Sequence, residues 1–158
     1  MTVKHITAST LLWCRYEDGW RLGLVRHPIQ QRLLPPGGHV EPDENTEQAA
    51  LREIAEETGI EADLVPSRGI PLGDDFPATT VERPWWICEH PIARDNHLAA
   101  PHIHVDHVYV GVARAPVPVT RPEHPFDWYP PTEWGTLDVP PETVQLAGAA
   151  LQLLAAHV

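Results

Sequence analysis

Three glutamates stand at helical spacing in a segment rich in helix-forming residues. From Asn45 the sequence continues TEQAALREIAEETGI, which contains Glu53, Glu56 and Glu57. An α-helix has about 3.6 residues per turn, so Glu57 projects about 40° to one side of Glu53 and Glu56 about 60° to the other. The three carboxylates therefore share one face of the predicted helix, with Cβ atoms about 5–6 Å apart.

This face brings like charges together, because residues three and four positions apart are neighbours on a helix and repel each other. Arg52 is the only basic residue in the segment. The face is either a solvated surface or a site for a cation, and carboxylate oxygens at this spacing suit Mg²⁺, which binds oxygen at about 2.0–2.1 Å. We predict a metal-binding face, with Ala50, Leu51 and Ile54 packing on the core from the opposite side.

The loop before the helix contains two adjacent glycines and a further glutamate. Gly37 and Gly38 allow the backbone to turn tightly and leave a main-chain carbonyl free to bind metal. Glu44 precedes Arg52 by eight residues, and we expect the two side chains to form a bidentate ion pair. Because that pair would tie the loop to the helix, its role would be structural.

These residues form one spaced pattern: Gly38, five residues, Glu44, seven residues and then REIAEETGI. The pattern resembles the Nudix box, G-x5-E-x7-R-E-U-x-E-E-x-G-U, in which U is a bulky apolar residue. Every specified position matches, namely Gly38, Glu44, Arg52, Glu53, Ile54, Glu56, Glu57, Gly59 and Ile60. A match of this length is specific, so the chain is identified by resemblance as a Nudix hydrolase.

The resemblance implies a fold and a reaction. The fold would be a Nudix-type α/β/α sandwich with a mixed β-sheet, formed by a single domain over residues 1–158. Nudix hydrolases cleave a diphosphate linked to another group X and use Mg²⁺ or Mn²⁺. The expected substrate is a small molecule, either a nucleoside diphosphate derivative that yields NMP and phosphoryl-X or a nucleoside triphosphate that yields NMP and diphosphate.

The resemblance also implies roles for individual residues. The metal ligands would be the three box glutamates and one glycine carbonyl: Glu53, Glu56, Glu57, and Gly37 or Gly38. Arg52 would orient Glu53 and pair with Glu44, while Glu44 and Gly59 would be structural. The general base would be one of the box glutamates or a carboxylate near them.

The box indicates the reaction type but not the group X. The tyrosine expected downstream of the box in dinucleoside polyphosphate hydrolases is absent, and Phe76, Pro77 and Ala78 occupy those positions. A hydrolase of a non-nucleotide diphosphate, such as a prenyl diphosphate, is therefore one alternative. A Nudix-fold ligand-binding or regulatory domain is another, but such domains usually lose box carboxylates and this box is intact.

Acidic residues outside the box are candidates for a second catalytic carboxylate. Glu123 is the first candidate, because it lies in the loop before a predicted strand around Trp128. Asp127 is the second candidate. Either residue could equally be a solvated loop acid.

Histidines concentrate in one part of the chain. Five of the ten lie between residues 90 and 107, and in a strand His102, His104 and Asp106 would share one face. We favour ordinary surface and sheet histidines, with contact to a substrate phosphate or base as the alternative and a zinc site as a third interpretation. His104 and Asp106 are accordingly candidates for substrate binding.

Two further residue types are candidates for substrate contact. Trp85 and Trp86 should point to opposite faces of a strand, so that one lies in the core and Trp86 is the candidate to stack on a base. Arg26 ends a predicted strand near the two glycines, where it could contact phosphate or be solvated.

The elements that must position these residues can be predicted from patterns of composition. A hairpin is expected, with strands at 5–16 and 20–27 and Gly19 in the turn, followed by a loop at 28–44. The helix would run over 46–58, capped by Asn45 with Gln48 and ended by Gly59. Further strands are predicted within 61–72, at 83–90 and 102–114 and around Trp128, with a final helix at 143–157. Interleaved strands and helices favour an α/β (α+β) fold with one mixed sheet.

Composition and charge narrow the possible partners. Eleven basic and twenty-two acidic residues give a net charge of −11, which argues against a nucleic-acid polymer as partner. Residues 1–10 lack the apolar stretch of a signal peptide, and no apolar run approaches the length of a membrane span. We expect a cytoplasmic protein that is a monomer or homodimer, with Cys14 and Cys88 as buried thiols.

Overall fold

Two long strands, β1 (Lys4–Tyr16) and β7 (His102–Ala113), run parallel to each other at the centre of the sheet. The structure is a computed structural model, and it describes residues 1–156. The other strands are short or lie at the sides: β2 (Gly19–Arg26), β3 (Leu33–Leu34), β4 (Gly37–His39), β5 (Ala62–Leu64), β6 (Trp86–Ile92) and β8 (Phe126–Tyr129).

All other strand pairs are antiparallel, so the sheet is mixed. β1 pairs with β2 and β4, β7 pairs with β5 and β6, and β2 pairs with β3 and β8. The two main helices are α1 (Thr46–Thr58) and α2 (Pro141–Ala156), and a 3-10 helix spans Pro131–Thr136. The predicted α+β class with one mixed sheet is confirmed.

The helices cover opposite faces of the sheet, because alternate side chains of a strand point to opposite sides. Leu11 and Trp13 of β1 belong to the large core cluster that includes Ala147, Ala150 and Leu154 of α2. Leu12 and Cys14 belong to a second cluster with Ile54 of α1. The fold is therefore a sandwich of a helix, a sheet and a helix.

The predicted hairpin and the predicted helix are present. β1 and β2 are joined by a turn in which Gly19 has a φ of 137°. α1 has the predicted boundaries, since Asn45 and Gln48 form a capping box at its start and Gly59 has a φ of 67° at its end. Both signals depend on neighbouring residues alone, which explains why the sequence was sufficient to predict them.

The predicted loop at 28–44 is wrong in part, because it contains the short strands β3 and β4. β4 pairs with β1 through Gly37 opposite Ser9 and Gly38 opposite Ala8. Glycine is a poor strand former, so this strand exists because of pairing with β1 and not because of local propensity. Leu51 is also a correction, since it is 38 % exposed and Ala49 takes its place in the core.

The remaining elements lie close to the predictions. β6 and β7 fall near 83–90 and 102–114, β5 follows α1 and β8 includes Trp128. α2 begins at Pro141, two residues earlier than predicted, and the predicted end of the helix at His157 lies outside the described residues. Cys14 is buried, Cys88 is half-buried and both are free thiols. Within residues 1–156 no helix has the length and hydropathy needed to cross a bilayer.

Candidate active site

α1 presents the three box glutamates in environments that differ from one another. The helix packs on the sheet through Ala49, Ala50 and Ile54, which are almost fully buried. The side chain of Glu57 is 10 % exposed, whereas those of Glu53 and Glu56 are 13 % and 45 % exposed. The three carboxylates therefore range from nearly buried at Glu57 to half exposed at Glu56.

Arg52 is the cation within this group. Its Nη1 donates to Glu53 Oε1 at 2.9 Å and to Glu56 Oε2 at 3.1 Å. Its Nε and Nη2 donate to the carboxylate of Glu44, and Nη2 also donates to the carbonyl of His39 at 3.0 Å. The ion pair expected between Arg52 and Glu44 is thus present, and one guanidinium connects the loop, β4 and two box glutamates.

β4 lies directly against the glutamates. The N–H of Gly37 donates to Glu57 Oε2 at 3.1 Å. A Cβ added at Gly38 would overlap Oε1 of Glu53, so any other residue would displace that carboxylate from its present position. Gly38 therefore accommodates the close approach of Glu53, and Gly37 accommodates the backbone of β1, since a Cβ there would overlap Ala8 and Ser9.

The negative charge of this group is only partly compensated. Burial and, to a smaller extent, the charge of Glu53 raise the pKa of Glu57 to about 8, against the opposing hydrogen bond from Gly37. Burial also raises the pKa of Glu53, although Arg52 opposes this effect. Hard oxygen donors with excess negative charge fit a divalent cation, which would favour the ionised carboxylates.

The segment before β8 packs against the C-terminal end of α1. The N–H of Glu123 donates to the carbonyl of Glu56 at 3.0 Å, and the charge of Glu123 contributes to the raised pKa of both Glu53 and Glu57. His124 Nε2 lies 3.9 Å from Glu57 Oε1. Sequence analysis did not identify His124, and its position next to Glu123 was the only signal available.

Two other predicted residues have different surroundings. Asp127 lies on β8, where its carboxylate accepts a hydrogen bond from the N–H of Trp128 at 2.7 Å. Arg26, at the end of β2, donates from Nη1 to the carbonyl of Gln31 at 3.0 Å. Both residues are engaged in contacts within their own turn or strand.

Asp106 forms its hydrogen bonds with β1 and not with the histidines on its own strand. Asp106 lies opposite Thr7 in the parallel register and accepts hydrogen bonds from Thr7 at 2.9 Å and Ser9 at 2.6 Å. His104 contacts Asp95 instead, with 2.9 Å between Nε2 and Oδ2. Asp106 therefore does not join the histidines with which it shares a face.

His104 belongs to a group that was not predicted and that we call the histidine cluster: His5, His39, Asp95, His102 and His104. One ligand atom from each of these residues lies within 4.8 Å of all the others. The favoured expectation of ordinary surface and sheet histidines stays a prediction, and His102, on β7, is the most buried of the group at 2 % exposed. Sequence analysis could not group these residues, because strand pairing brings together positions far apart in the chain.

Electrostatics within the histidine cluster favour the neutral form of two imidazoles, those of His39 and His104. Burial, together with the neighbouring His97 and His104, lowers the pKa of His39 to about 4. Burial also lowers the pKa of His104. Hydrogen bonds hold the pKa of Asp95 well below its usual range despite burial. His102 differs, since its hydrogen bond to a backbone carbonyl raises its pKa.

The two tryptophans are not divided between core and surface. Trp85 and Trp86 are both half-buried and both pack against the large core cluster. Trp85 Nε1 donates to the carbonyl of Val65 at 3.0 Å. The expected alternation fails because β6 begins at Trp86, so Trp85 precedes the strand.

Comparison with known proteins supports the pattern found in the sequence. The family model of the NUDIX domain matches residues 6–147. The chain is 48 % identical over 55 residues to a protein of Lactococcus lactis subsp. cremoris named as a probable DHNTP pyrophosphohydrolase. That alignment spans 35 % of this chain and 31 % of the relative, so the chain covers less than a third of the length of that protein.

Solved structures of similar shape have the same fold. A NUDIX-family hydrolase from Clostridium perfringens has a TM-score of 0.75 and 23 % identity, covering 95 % of this chain and 97 % of the other. An Ap4A hydrolase from C. elegans in a binary complex has a TM-score of 0.64 and 18 % identity, covering 96 % and 98 %. With the family model matching most of its length, the chain belongs to the Nudix hydrolase family.

Proposed function

We propose that this Nudix hydrolase cleaves a diphosphate linkage in a nucleoside diphosphate derivative or a nucleoside triphosphate, with Mg²⁺ or Mn²⁺ as cofactor. The observation that carries the proposal is the group formed by Glu53, Glu56 and Glu57 against the backbone of Gly37 and Gly38. This group combines buried negative charge, hard oxygen donors and a backbone that approaches closely because it has no side chains.

The residues that would hold the metal are Glu53, Glu56 and Glu57, with a carbonyl of Gly37 or Gly38 as a further ligand. A divalent ion bound there supplies positive charge to a diphosphate and lowers the pKa of an attacking water. The net charge of −11 makes such a cation necessary, since an anionic substrate would otherwise be repelled by this face.

The protein's own groups position the reaction. Arg52 holds the carboxylate of Glu53 at 2.9 Å, and the same guanidinium is fixed by Glu44. Glu123, whose charge acts on Glu53 and Glu57, is the first candidate for a general base from outside the box. Asp127 is the second candidate for the general base. It is the weaker candidate, because its carboxylate accepts a hydrogen bond from the backbone of β8.

The names of relatives favour nucleotides and related small molecules. The Lactococcus protein is named as a pyrophosphohydrolase and the C. elegans structure as an Ap4A hydrolase. Both names support cleavage of a diphosphate linkage, and neither determines the group X for this chain. Arg26 and Trp86 remain candidates for substrate contact, whereas His104 and Asp106, the other two candidates, are engaged with Asp95 and with Thr7 and Ser9.

The test is release of phosphate or monophosphate from a panel of substrates with Mg²⁺, with Mn²⁺ and with a chelator. The panel should contain nucleoside triphosphates, sugar nucleotides, ADP-ribose, dinucleoside polyphosphates and prenyl diphosphates. We expect one nucleotide substrate with kcat/KM of about 10⁴ M⁻¹s⁻¹ or more and no turnover with the chelator. Glu53→Gln and Glu57→Gln should each lower kcat by at least ~10²-fold, whereas the exposed Glu17→Gln should not.

Other results would replace the proposal by a specific alternative. Turnover of prenyl diphosphates alone would overturn the nucleotide assignment, and full activity with the chelator would overturn the metal assignment. Wild-type rates in both Glu53→Gln and Glu57→Gln would show that the box glutamates are not the ligands. Metal binding without turnover of any substrate would favour a ligand-binding role.

A further inference from the structure

The histidine cluster is assembled from four separate parts of the chain. His5 comes from β1, His39 from β4, and Asp95 from the loop between β6 and β7, while β7 supplies His102 and His104. The parallel register places His5 beside His104, and the antiparallel register places His39 beside Thr7, two residues further along β1. Strand pairing therefore fixes the positions of most of the imidazoles.

The distances between the donor atoms match those of ligands around a single metal ion. Asp95 Oδ2 lies 3.0 Å from His102 Nε2, 2.9 Å from His104 Nε2 and 3.2 Å from His39 Nε2. The two Nε2 atoms of His102 and His104 are 3.1 Å apart. Ligands at about 2.0–2.1 Å from an ion stand about 2.9–3.4 Å from each other in octahedral or tetrahedral geometry.

The nitrogen of His102 that points away from the histidine cluster forms a hydrogen bond with the backbone. This bond determines the tautomer of His102, and hence which ring nitrogen has a lone pair. His102 Nδ1 lies 2.9 Å from the carbonyl of Ala100, which can only accept, so Nδ1 carries the hydrogen. In the neutral imidazole Nε2 then has a lone pair, directed at Asp95 and His104. A backbone carbonyl bound to the second nitrogen is the usual support for a metal-ligating histidine.

Without a cation, this arrangement brings acceptor atoms together. A lone pair on His102 Nε2 would face a carboxylate oxygen at 3.0 Å, which is unfavourable unless a proton or a metal ion lies between them. His5 Nδ1 is buried and has no hydrogen-bond partner among the described residues, and the buried His39 Nε2 forms no hydrogen bond among them although Asp95 Oδ2 lies 3.2 Å away. Buried polar atoms normally form hydrogen bonds, so these two nitrogens point to a missing ligand.

The histidine cluster lies on the opposite side of the sheet from the box glutamates. Gly38 of β4 faces Glu53, and the next residue, His39, points to the other side because strand residues alternate. His5, like Leu11 and Trp13, is an odd-numbered residue of β1 and lies on the face covered by α2. A cation in the histidine cluster would therefore be distinct from one bound by α1.

We propose that the histidine cluster binds one transition-metal ion of the zinc class, with Asp95, His102 and His104 as ligands and His39 and His5 completing the site. Imidazole-rich sites with one carboxylate select Zn²⁺ and its first-row neighbours over Mg²⁺, which prefers oxygen ligands. This inference does not depend on the substrate or on the metal of the active site.

The role of the ion would be structural. The side chain of His102 is fully buried, and those of His39, Asp95 and His104 are 16–18 % exposed, which leaves little access for a substrate. The ion would join the loop that carries Asp95 to β1, β4 and β7. Because β4 also carries Gly37 and Gly38, it would hold the backbone that contacts the box glutamates.

The test is a Co²⁺ titration of untagged protein from which metals have been removed, followed by visible absorption and repeated in excess Mg²⁺. We expect one equivalent of Co²⁺ with the absorption bands of nitrogen ligation, displaced by Zn²⁺ and not by Mg²⁺. Asp95→Asn and His104→Gln should each weaken Co²⁺ binding by ~10²-fold or more. His107→Gln, on the opposite face of β7, and Glu53→Gln, on α1, should leave it unchanged.

Thermal unfolding supplies a second measurement that does not require activity. One equivalent of Zn²⁺ should raise the melting temperature of the wild type and of Glu53→Gln, but not that of His104→Gln. The proposal would be overturned by the absence of stoichiometric Co²⁺ binding in the wild type, by displacement with Mg²⁺, or by loss of the bands in Glu53→Gln. The wild-type titration alone can overturn it, even if a cluster variant fails to fold.

Discussion

Two nitrogens of the Arg52 guanidinium donate hydrogen bonds to the carboxylate of Glu44. Nε lies 3.0 Å from Oε2, and Nη2 lies 2.6 Å from Oε1. This contact lowers the pKa of Glu44 and raises the pKa of Arg52, so both groups are charged at neutral pH. Because the remaining nitrogen of Arg52, Nη1, donates to Glu53, the ion pair between Arg52 and Glu44 fixes the position of the Glu53 carboxylate.

Arg52→Ala should lower both stability and activity. It leaves the partly buried carboxylates of Glu44 and Glu53 without their donor, which costs about 1–3 kcal/mol of the free energy of unfolding. Activity should fall because Glu53 loses its orientation. The measurements are denaturant unfolding and kcat with the substrate found in the panel.

Arg114→Ala is the matched control, since Arg114 also pairs with a carboxylate, that of Asp63, but both side chains are more than 60 % exposed. Exposed ion pairs contribute little, so melting and rate should stay near the wild type. Equal losses of stability and rate in Arg52→Ala and Arg114→Ala would show that the ion pairs of Arg52 contribute no more than an exposed ion pair.

Gly38→Ala should reduce activity through Glu53. The added Cβ would overlap Oε1 of Glu53, which Arg52 holds in place, so the carboxylate must move. A displacement of about 1 Å at a reacting group can lower the rate by ~10²-fold. Steady-state kinetics at saturating Mg²⁺ would measure the effect.

Gly148→Ala is the control for the glycine substitution. Gly148 lies inside α2, and a Cβ there would meet no atom within 4 Å. This variant should be more stable by about 0.4–1 kcal/mol, because alanine has less conformational freedom in the unfolded chain. Loss of activity in Gly148→Ala as large as in Gly38→Ala would contradict the steric argument.

Substitutions can distinguish between Glu123 and Asp127, the two candidates for the general base outside the box. Glu123→Gln should lower kcat by ~10²–10⁴-fold if Glu123 accepts the proton, and should lower the pKa of Glu57 because a neighbouring negative charge is removed. Asp127→Asn keeps the acceptor for the N–H of Trp128 and should change kcat little. Reversed effects of the two variants in a pH–rate profile would assign the base to Asp127.

More of the active site than of the histidine cluster could be predicted from the sequence. Glu53, Glu56 and Glu57 lie within one helix, so the helical period alone predicts that they share a face. The burial of Glu57 was not predictable, because it depends on the approach of Gly37 from β4. The partners of His104 come from β1, β4 and a loop, and only long-range strand pairing brings them together.

Stability of the metal-free protein should depend on pH through Glu57. The pKa of Glu57 is about 8 in the folded protein and has an ordinary value of 4.5, so between these values the folded state binds more protons than the unfolded state. Stability contributed by the protonated carboxyl is therefore lost as pH rises through this window. The glutamine side chain in Glu57→Gln cannot titrate. The free energy of unfolding of Glu57→Gln minus that of the wild type should therefore increase as pH rises.

The measurement is denaturant unfolding of both proteins in a chelator at about pH 5 and about pH 8.5, compared as a difference so that other titrating groups cancel. Mg²⁺ should reduce the pH dependence of the wild type, because a cation beside Glu57 favours its ionised form and returns its pKa towards the ordinary value. A difference between wild type and Glu57→Gln that stays constant with pH would mean that Glu57 is ionised in the folded protein throughout. In that case Arg52 or His124 would compensate its charge more fully than the geometry indicates, since His124 Nε2 stands 3.9 Å from its carboxylate.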